Sequence, residues 1–344
     1  MSRRLRVALL AGGRSSEHDI SLASARSVLA ALDPARYDVV SVAIGRDGRW
    51  ELAAGADAPA AIGGSSAETL PVPAGSSTLA ALGGVDVVFP ILHGPFGEDG
   101  TVQGLLELAG IPYIGAGVAA SALAMDKDLF KKVLRDSGIP VARHHTIRLG
   151  DEVENPLGYP VFVKPARLGS SVGISKVHDE SELGPAVALA RRHDEKVLVE
   201  EFVRGMEVEC GVLGNRLPPP VASLPGCIDT LDHEWYDFAS KYEEDGMELV
   251  IPPKLPQETI ELVQQRAVEA FVASECEGMA RVDFFVREGD NEVIVNELNT
   301  IPGFTATSVY AKLFQASGIA YTDLLDRLIE LALERAERRS QLEY

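Results

Sequence analysis

Short apolar runs alternate, along the first third of the chain, with segments whose apolar positions recur every three or four residues. "LRVALL" (5–10), "YDVVSVAI" (37–44) and "VDVVFPIL" (85–92) are predicted strands, each an almost unbroken apolar run. "SLASARSVLAAL" and "TVQGLLELAG" are predicted helices. Strands of this kind, separated by helices, imply a parallel sheet covered on both faces. Residues 1–120 are therefore expected to form a doubly wound α/β domain. Residues 53–84 are rich in Ala, Gly, Ser and Pro with weak periodicity, and read as a surface excursion with no assigned role.

A second unit is expected over 121–220. "DKDLFKKVLRDSGIP" has the acidic start and Gly-x-Pro stop of a helix. "YPVFVKPA" and "KVLVEEFV" are predicted strands around the helix "ESELGPAVALARR". The three prolines 218–220 predict a connection between strands. A third unit, 221–344, opens with an irregular, aromatic-rich stretch to Pro253, and loops of that length are usually functional. Residues 230–250 within it are the candidate lid. "QETIELVQQRAVEAFVASE" is a predicted helix, and "MARVDFFVREGDNEVIVNELN" two strands around a tight turn. The loop "TIPGFTATS" and closing helices follow, and no internal repeat is visible.

With 344 residues, 46% of them hydrophobic, the chain can bury two or three cores. No apolar run approaches the roughly 18 residues a membrane span needs. "MSRRLRVALLAGG" runs straight into a glycine turn and reads as a first strand rather than a leader. Cys210, Cys227 and Cys276 are far apart, with no C-x-x-C pair, and read as buried thiols of a cytoplasmic protein without a disulfide or metal framework. The formal charge of −19, with no basic tract, argues against nucleic acid. It also sets a condition: a polyanion such as a nucleotide requires a local group of Lys or Arg, or a bound cation.

Strand parity supplies candidate chemistry. Alternate side chains share a face, so Arg281, Asp283 and Phe285 point together, as do Glu297 and Asn299 on the next strand. Asp283 lies beside Glu297 if the register sum is even, and a three-residue turn Gly289-Asp290-Asn291 would provide that. Three oxygen-bearing side chains then converge, as a hard cation such as Mg2+ requires. Charges that merely end solvated strands are the plain alternative.

"KPARLGSSVGIS" (164–175) looks made for phosphate, yet its lysine precedes the glycines, the reverse of the usual phosphate loop. Lys164 ends an apolar run, and a buried lysine needs an anionic partner. Gly169, Ser170, Ser171 and Gly173 offer backbone N–H groups that can approach an oxyanion, although a plain surface loop would read the same way. Lys127 opens a helix and, taken alone, is an ordinary surface lysine. His93, Glu98 and Asp99 follow a strand of the first sheet, on the side where such sheets bind ligands. Glu17 opens a helix in the same region, where a carboxylate is common without any function. The dinucleotide fingerprint G-x-G-x-x-G is missing from "GGRSS", which disfavours a dehydrogenase.

Taken in order, "GGRSSEHDIS", "LHGPFGEDGTVQGLLELAGIPYIG", "MDKDLFKKVL", "VFVKPARLGSSVGISKV", "LVEEFVRGMEVECGVL", "YDFASKY" and "RVDFFV…VNELNTIPGFTATS" resemble the D-alanine–D-alanine ligase family of the ATP-grasp superfamily over nearly the whole chain. The resemblance implies an N-terminal α/β domain followed by a two-domain clasp, α+β in class, that holds ATP between two sheets. It implies that Lys127 and Lys164 hold the α- and β-phosphates, and that Gly169–Gly173, with Ser170 and Ser171, covers the γ-phosphate. Adenine would lie among Glu200, Phe202, Val203, Trp235 and Phe285, with Glu207 on the ribose. Asp283, Glu297 and Asn299 would bind two Mg2+, for which Mn2+ can substitute. Glu17 would pair with the ammonium of the first D-alanine, with His93 near its carboxylate, while Lys241 and Ser308 would bind the carboxylate of the second. Arg281 and the backbone N–H of Gly303 would stabilise the oxyanion, and Tyr242, Ser170 and Glu17 would link lid, loop and first substrate. The "SKY" pair Lys241 and Tyr242 goes with an amine nucleophile, hence with D-alanyl-D-alanine rather than D-alanyl-D-lactate. The family works in the cytoplasm on peptidoglycan precursors and is often dimeric, so a homodimer is also an expectation. The rivals are an ATP-grasp ligase with another acceptor, and a protein that closes on ATP without turnover.

Overall fold

The first strand, β1 (Leu5–Gly12), shows why its apolar run is unbroken. Val7, Leu9 and Ala11 enter one core while Ala8 and Leu10 enter another, so both faces are buried. The computed structural model describes residues 3–53, 70–71, 82–229 and 248–343. In it β1 pairs in parallel with β2 (Tyr37–Ile44), and β3 (Trp50–Ala53) and β4 (Leu70–Pro71) continue that side antiparallel. β5 (Val87–Ile91) pairs in parallel on the other side, giving the order β4-β3-β2-β1-β5. Helix α1 (His18–Ala31) packs on one face, and α2 (Thr101–Leu108) on the other. Residues 54–69 and 72–81 of the expected surface excursion lie outside the described residues.

Helices α3 (Val118–Met125) and α4 (Lys127–Asp136) follow, so residue 120 falls inside a helix. The second sheet is antiparallel, built from β6 (His144–Ile147), β7 (Val161–Pro165), β8 (Ser175–Val177) and β9 (Val197–Glu201) in the order β6-β9-β7-β8. Helix α5 (Glu180–Ala190) covers one face, packing Leu183 and Val187 on Val161, Val163, Val197 and Val199. Strand alternation turns Phe162, Lys164, Leu198 and Glu200 to the opposite face.

The third sheet begins at β10 (Gly205–Gly214) and includes β11 (Val221–Ala222), β12 (Gly226–Asp229), β13 (Glu248–Val250), β14 (Gly278–Arg287) and β15 (Val293–Asn299). Its order is β13-β12-β10-β14-β15, with β11 also on β10. Residue 220 thus falls between two strands of one sheet. The described residues of the stretch 221–253, expected to be irregular, include three short strands. Segments this short carry no readable period, and their register is imposed by β10 and its neighbours. Residues 230–247 of the candidate lid lie outside the described residues. Helix α6 (Gln257–Ala273), with Phe130 and Leu134 of α4, buries the back face of this sheet against Val208, Val282 and Phe284.

The register of β14 and β15 corrects one expectation. Asp283 does pair with Glu297, but no three-residue turn produces that pairing. The hairpin closes with Val286 opposite Val293, an odd sum, and the register shifts between Asp283 and Phe284. Phe284 faces Val295 and Asp283 faces Glu297, so Asn296 is the extra residue of a β-bulge. The bulge, not the turn, puts the carboxylates side by side.

The chain ends where it began. α7 (Val309–Ala316) and α8 (Tyr321–Ser340) return to the first sheet, where Leu324, Leu325, Leu328 and Ile329 join Val7, Leu9 and Phe89 in one core. Phe304 stacks edge-on against Phe89 with centroids 5.4 Å apart. Buried Arg335 donates to the Gly115 carbonyl, and at 2.6 Å to that of Tyr113. Among the described residues, no helix is long and apolar enough to cross a membrane, and the three cysteines are buried. Because Leu328 is fully buried, Leu328→Ala is expected to cost about 2–5 kcal/mol of global stability. Urea denaturation checks this, and a loss below about 1 kcal/mol would show that α8 is not part of the N-terminal core.

Candidate active site

Lys127 and Lys164 come from different elements and meet different carboxylates. Lys127 is the first residue of α4, whose N-cap Asp126 accepts from the Leu129 N–H at 3.1 Å. Its Nζ donates to the Leu168 carbonyl at 2.9 Å and lies 3.2 Å from Glu297 Oε2. Lys164 Nζ donates to Glu200 Oε1 at 2.6 Å. The other oxygen of Glu200 is 2.9 Å from Lys131 Nζ. Burial alone would raise the Glu200 pKa, but Lys131 and Lys164 outweigh it and hold the carboxyl at about 2. The carboxylate expected near adenine is therefore committed to two lysines.

The loop after Lys164 reaches back to the first sheet. Ser170 Oγ donates to Glu17 Oε1 at 2.5 Å. Ser170 and Ser171 have φ of 54° and 57°, in the left-handed region that non-glycine residues rarely occupy. Gly173 also has positive φ, and a Cβ there would lie 2.7 Å from the His193 ring. Glu17 is close to Gly94 as well, where a Cβ would lie 2.8 Å from Glu17 Oε2, so a side chain there would displace the carboxylate.

Behind Glu17 lie His93, which is buried, and Glu98, which is half-buried. His93 Nδ1 is 3.0 Å from the Ile301 carbonyl, and Nε2 is 3.4 Å from Ser24 Oγ. Burial lowers the His93 pKa, so the ring is neutral with its proton on Nδ1. Glu98 accepts from the backbone N–H of Gly94 at 2.7 Å and of Ile301 at 2.9 Å. It thereby joins the loop after β5 to the loop after β15. Burial and the neighbouring Glu17 charge push its pKa up to about 8, against the pull of those two N–H groups and Arg281.

On the third sheet, β14 and β15 turn their polar residues to one face. Arg281 grips Asp283 through two bonds of 2.7 Å and lies 3.4 Å from Glu209 Oε2. Burial works against its charge, but Asp283 and Glu209 more than compensate and raise its pKa. Asn299 Nδ2 donates to Asp283 Oδ2 at 2.9 Å, which leaves Oδ1 as its acceptor end. Two carboxylates and an amide oxygen are the donor types that a hard divalent cation takes, and here both Asp283 oxygens are held by Arg281. Ser308 Oγ accepts from the Thr305 N–H at 3.0 Å, and a Cβ on Gly303 would lie 3.3 Å from it.

A cavity of about 780 Å³ opens between the second and third sheets. Phe162, Phe202 and Val203 line one side, and Glu207, Phe285, Asp283 and Glu297 the other. Lys176 Nζ lies over the Phe202 ring, 4.3 Å from its centroid. Trp235, Lys241 and Tyr242 lie outside the described residues.

The family models described as D-ala D-ala ligase N-terminus and D-ala D-ala ligase C-terminus match residues 6–116 and 133–330. The chain belongs to the D-alanine–D-alanine ligase family. D-alanine–D-alanine ligase A of Mesorhizobium japonicum is 48% identical over 98% of this chain and 100% of its own. Among solved structures, the VanG D-Ala:D-Ser ligase of Enterococcus faecalis superposes with a TM-score of 0.85 at 35% identity, covering 96% of this chain and 100% of that one. The Bacillus anthracis D-alanine–D-alanine ligase complexed with ATP superposes with a TM-score of 0.77 at 27% identity, covering 97% and 99%.

In this ligase fold three charged residues went unassigned from sequence. Lys131 lies one helical turn after Lys127, a spacing that shares a helix face. Glu209 is two residues after Glu207 and opposite Asp283, so strand parity points to it. Glu98 was in view, but its reach to Ile301 is a contact between distant loops. Because Glu98 holds a proton in the folded state that the unfolded chain releases above the ordinary carboxyl range, its contribution to stability falls as pH rises toward 8. Glu98→Gln is expected to lessen the fall in urea midpoint between about pH 5 and about pH 8. An unchanged fall would show that Glu98 is ionised throughout. Glu17→Gln is expected to lower the Glu98 pKa, read by carboxyl NMR, since it removes the neighbouring charge.

Proposed function

We infer that this protein is an ATP-dependent ligase that joins two D-alanines into D-alanyl-D-alanine, releasing ADP and phosphate, for peptidoglycan precursor synthesis. The bond between Ser170 and Glu17 carries the reading within the site, because it brings a glycine-serine loop next to Lys164 against a first-sheet carboxylate. A nucleotide phosphate and an amino acid can then meet.

A carboxylate does not accept an amine at neutral pH, because oxide is too poor a leaving group. ATP supplies the remedy. The carboxylate of the first D-alanine attacks the γ-phosphorus, ADP leaves, and a D-alanyl phosphate results. The amine of the second D-alanine then attacks the carbonyl carbon, and phosphate departs. Phosphoryl transfer asks the protein mainly for positioning and positive charge. Lys127 and Lys164 would hold the α- and β-phosphates, with the loop Gly169–Gly173 over the γ-phosphate. The adenine fits the apolar cavity walls at Phe202, Val203 and Phe285, with Glu207 on the ribose. Asp283, Glu297 and Asn299 would hold the divalent metal, taken to be Mg2+ with Mn2+ as a substitute. When bound, it neutralises phosphate charge.

Glu17 would receive the ammonium of the first D-alanine. His93 in its neutral form has a lone pair on Nε2, so it donates nothing to a carboxylate there and instead fixes the Ile301 loop. Arg281 and the Gly303 N–H would face the oxyanion of the tetrahedral intermediate, where a preplaced donor is typically worth ~3 kcal/mol. Ser308, with Lys241, would hold the second carboxylate. We place the reaction in the cytoplasm, where ATP is available.

ADP release with ATP and Mg2+, measured with and without D-alanine, tests the reading. Release is expected to require D-alanine. Release independent of it, or none, would overturn the ligase assignment. Activity with D-alanine plus D-serine or D-lactate, and none with D-alanine alone, would overturn the D-alanyl-D-alanine assignment. Lys164→Ala is expected to raise the ATP KM before that of D-alanine. Glu297→Gln is expected to lower turnover at least about 10-fold, as loss of a metal ligand does, with the urea midpoint nearly unchanged. Near-parental rates would remove Glu297 from the site.

A further inference from the structure

We propose that Lys131 is a positioning residue that ties Lys164 and Glu297 together across the cleft. The proposal rests on the ligase reading for the roles of those two residues. Lys131 is fully buried, yet its ammonium is 2.9 Å from Glu200 Oε2 and donates to the Asn296 carbonyl at 2.9 Å. These partners belong to different sheets, Glu200 to β9 and Asn296 to β15. Each is one contact away from a site residue. Glu200 accepts from Lys164 through its other oxygen at 2.6 Å. Asn296 precedes Glu297 in the chain and is the extra residue of the bulge.

Two physical demands meet at this one group. A buried ammonium is costly unless a carboxylate and further acceptors surround it. A bulge residue is unpaired in its ladder, so its carbonyl needs a donor from elsewhere. Lys131 answers the second demand with the proton that the first obliges it to place. The bulge decides which face Glu297 and Asn299 occupy, so the donor that caps it supports the metal face. Neutralisation of Glu200 alone would need no contact with Asn296. Lys127, one turn earlier on α4, reaches Glu297 directly. The helix therefore offers two ammonium groups, one to Glu297 itself and one to the backbone beside it.

The test uses Lys131→Met, which keeps most of the apolar stem, and the double variant Lys131→Met/Glu200→Gln, which also removes the stranded carboxylate. Mn2+ binding to the protein with ADP, followed by EPR, and ADP binding without metal, followed by calorimetry, are the readouts. Lys131→Met is expected to lose about 10-fold or more in Mn2+ affinity, as supporting contacts of metal ligands do. It is also expected to bind ADP more weakly without metal. The double variant is expected to regain thermal stability but not Mn2+ affinity, because Asn296 still lacks its donor. Recovery of both would show that Lys131 merely neutralises Glu200, and would overturn the proposal. Parental Mn2+ and ADP affinities in a folded Lys131→Met would overturn it too. A double variant that does not fold would assign Lys131 to the fold itself, again against the proposal. Failure of the parent protein to bind ADP would count against the ligase reading instead.

Discussion

A chain of formal charge −19 can hold a polyphosphate only if cations are fixed before the ligand arrives. Here the fixing is done by burial against carboxylates. Lys131 and Lys164 share Glu200, Lys127 meets Glu297, and Arg281 lies between Asp283 and Glu209. These four cations face four carboxylates, so each side chain is held in place. Buried ion pairs of this kind add little to stability, since desolvation offsets most of their attraction. Their value here is orientation.

The placement of those pairs follows from strand parity. On the second sheet, Val161, Val163, Val197 and Val199 bury one face, which leaves Lys164 and Glu200 on the other. On the third sheet, Val208, Val282 and Phe284 bury the back, which leaves Glu207, Glu209, Arg281 and Asp283 on the front. The hydrophobic core thus selects the polar face without any polar residue taking part. Where parity alone would fail, at Glu297, the bulge at Asn296 restores it. The bulge trades one ladder position for the correct face of two side chains.

Strand-borne residues were accordingly the legible part of the sequence. Asp283, Glu297 and Asn299 could be grouped from alternation, and Lys164 from its place at the end of an apolar run. The bulge was not legible, because "VIVNELN" contains no glycine or other local sign of an extra residue. The pairing was reached from sequence through a turn that the structure does not contain. Lys131 carried a signal, its helical spacing from Lys127, but a lysine on a charged helix reads as solvated until tertiary contacts bury it. Glu98 and Ile301 are 203 residues apart, and no local pattern announces their bond. The folding of α8 onto β1 was illegible for the same reason, since a helix's apolar stripe does not name its partner.

The first sheet enters the site through contacts that bind its loops to the other two. Glu17 accepts from Ser170 of the second sheet's loop, while Glu98 and His93 hold the backbone at Ile301 beyond the third. Ser170 and Ser171 keep left-handed backbone conformations, which cost of order 1–3 kcal/mol each unless neighbouring contacts enforce them. The bond to Glu17 is one such contact. An ammonium that approaches Glu17 under the ligase reading meets a carboxylate already joined to the phosphate loop. Its charge offsets the Glu17 repulsion that helps to keep Glu98 protonated. The amino acid then acts on both neighbours of Glu17: Ser170 on the loop over the transferable phosphate, and Glu98, which is bonded to the loop that carries Gly303. Coupling of this kind requires no long path, because a single carboxylate touches one of these elements and lies within the electrostatic reach of the other.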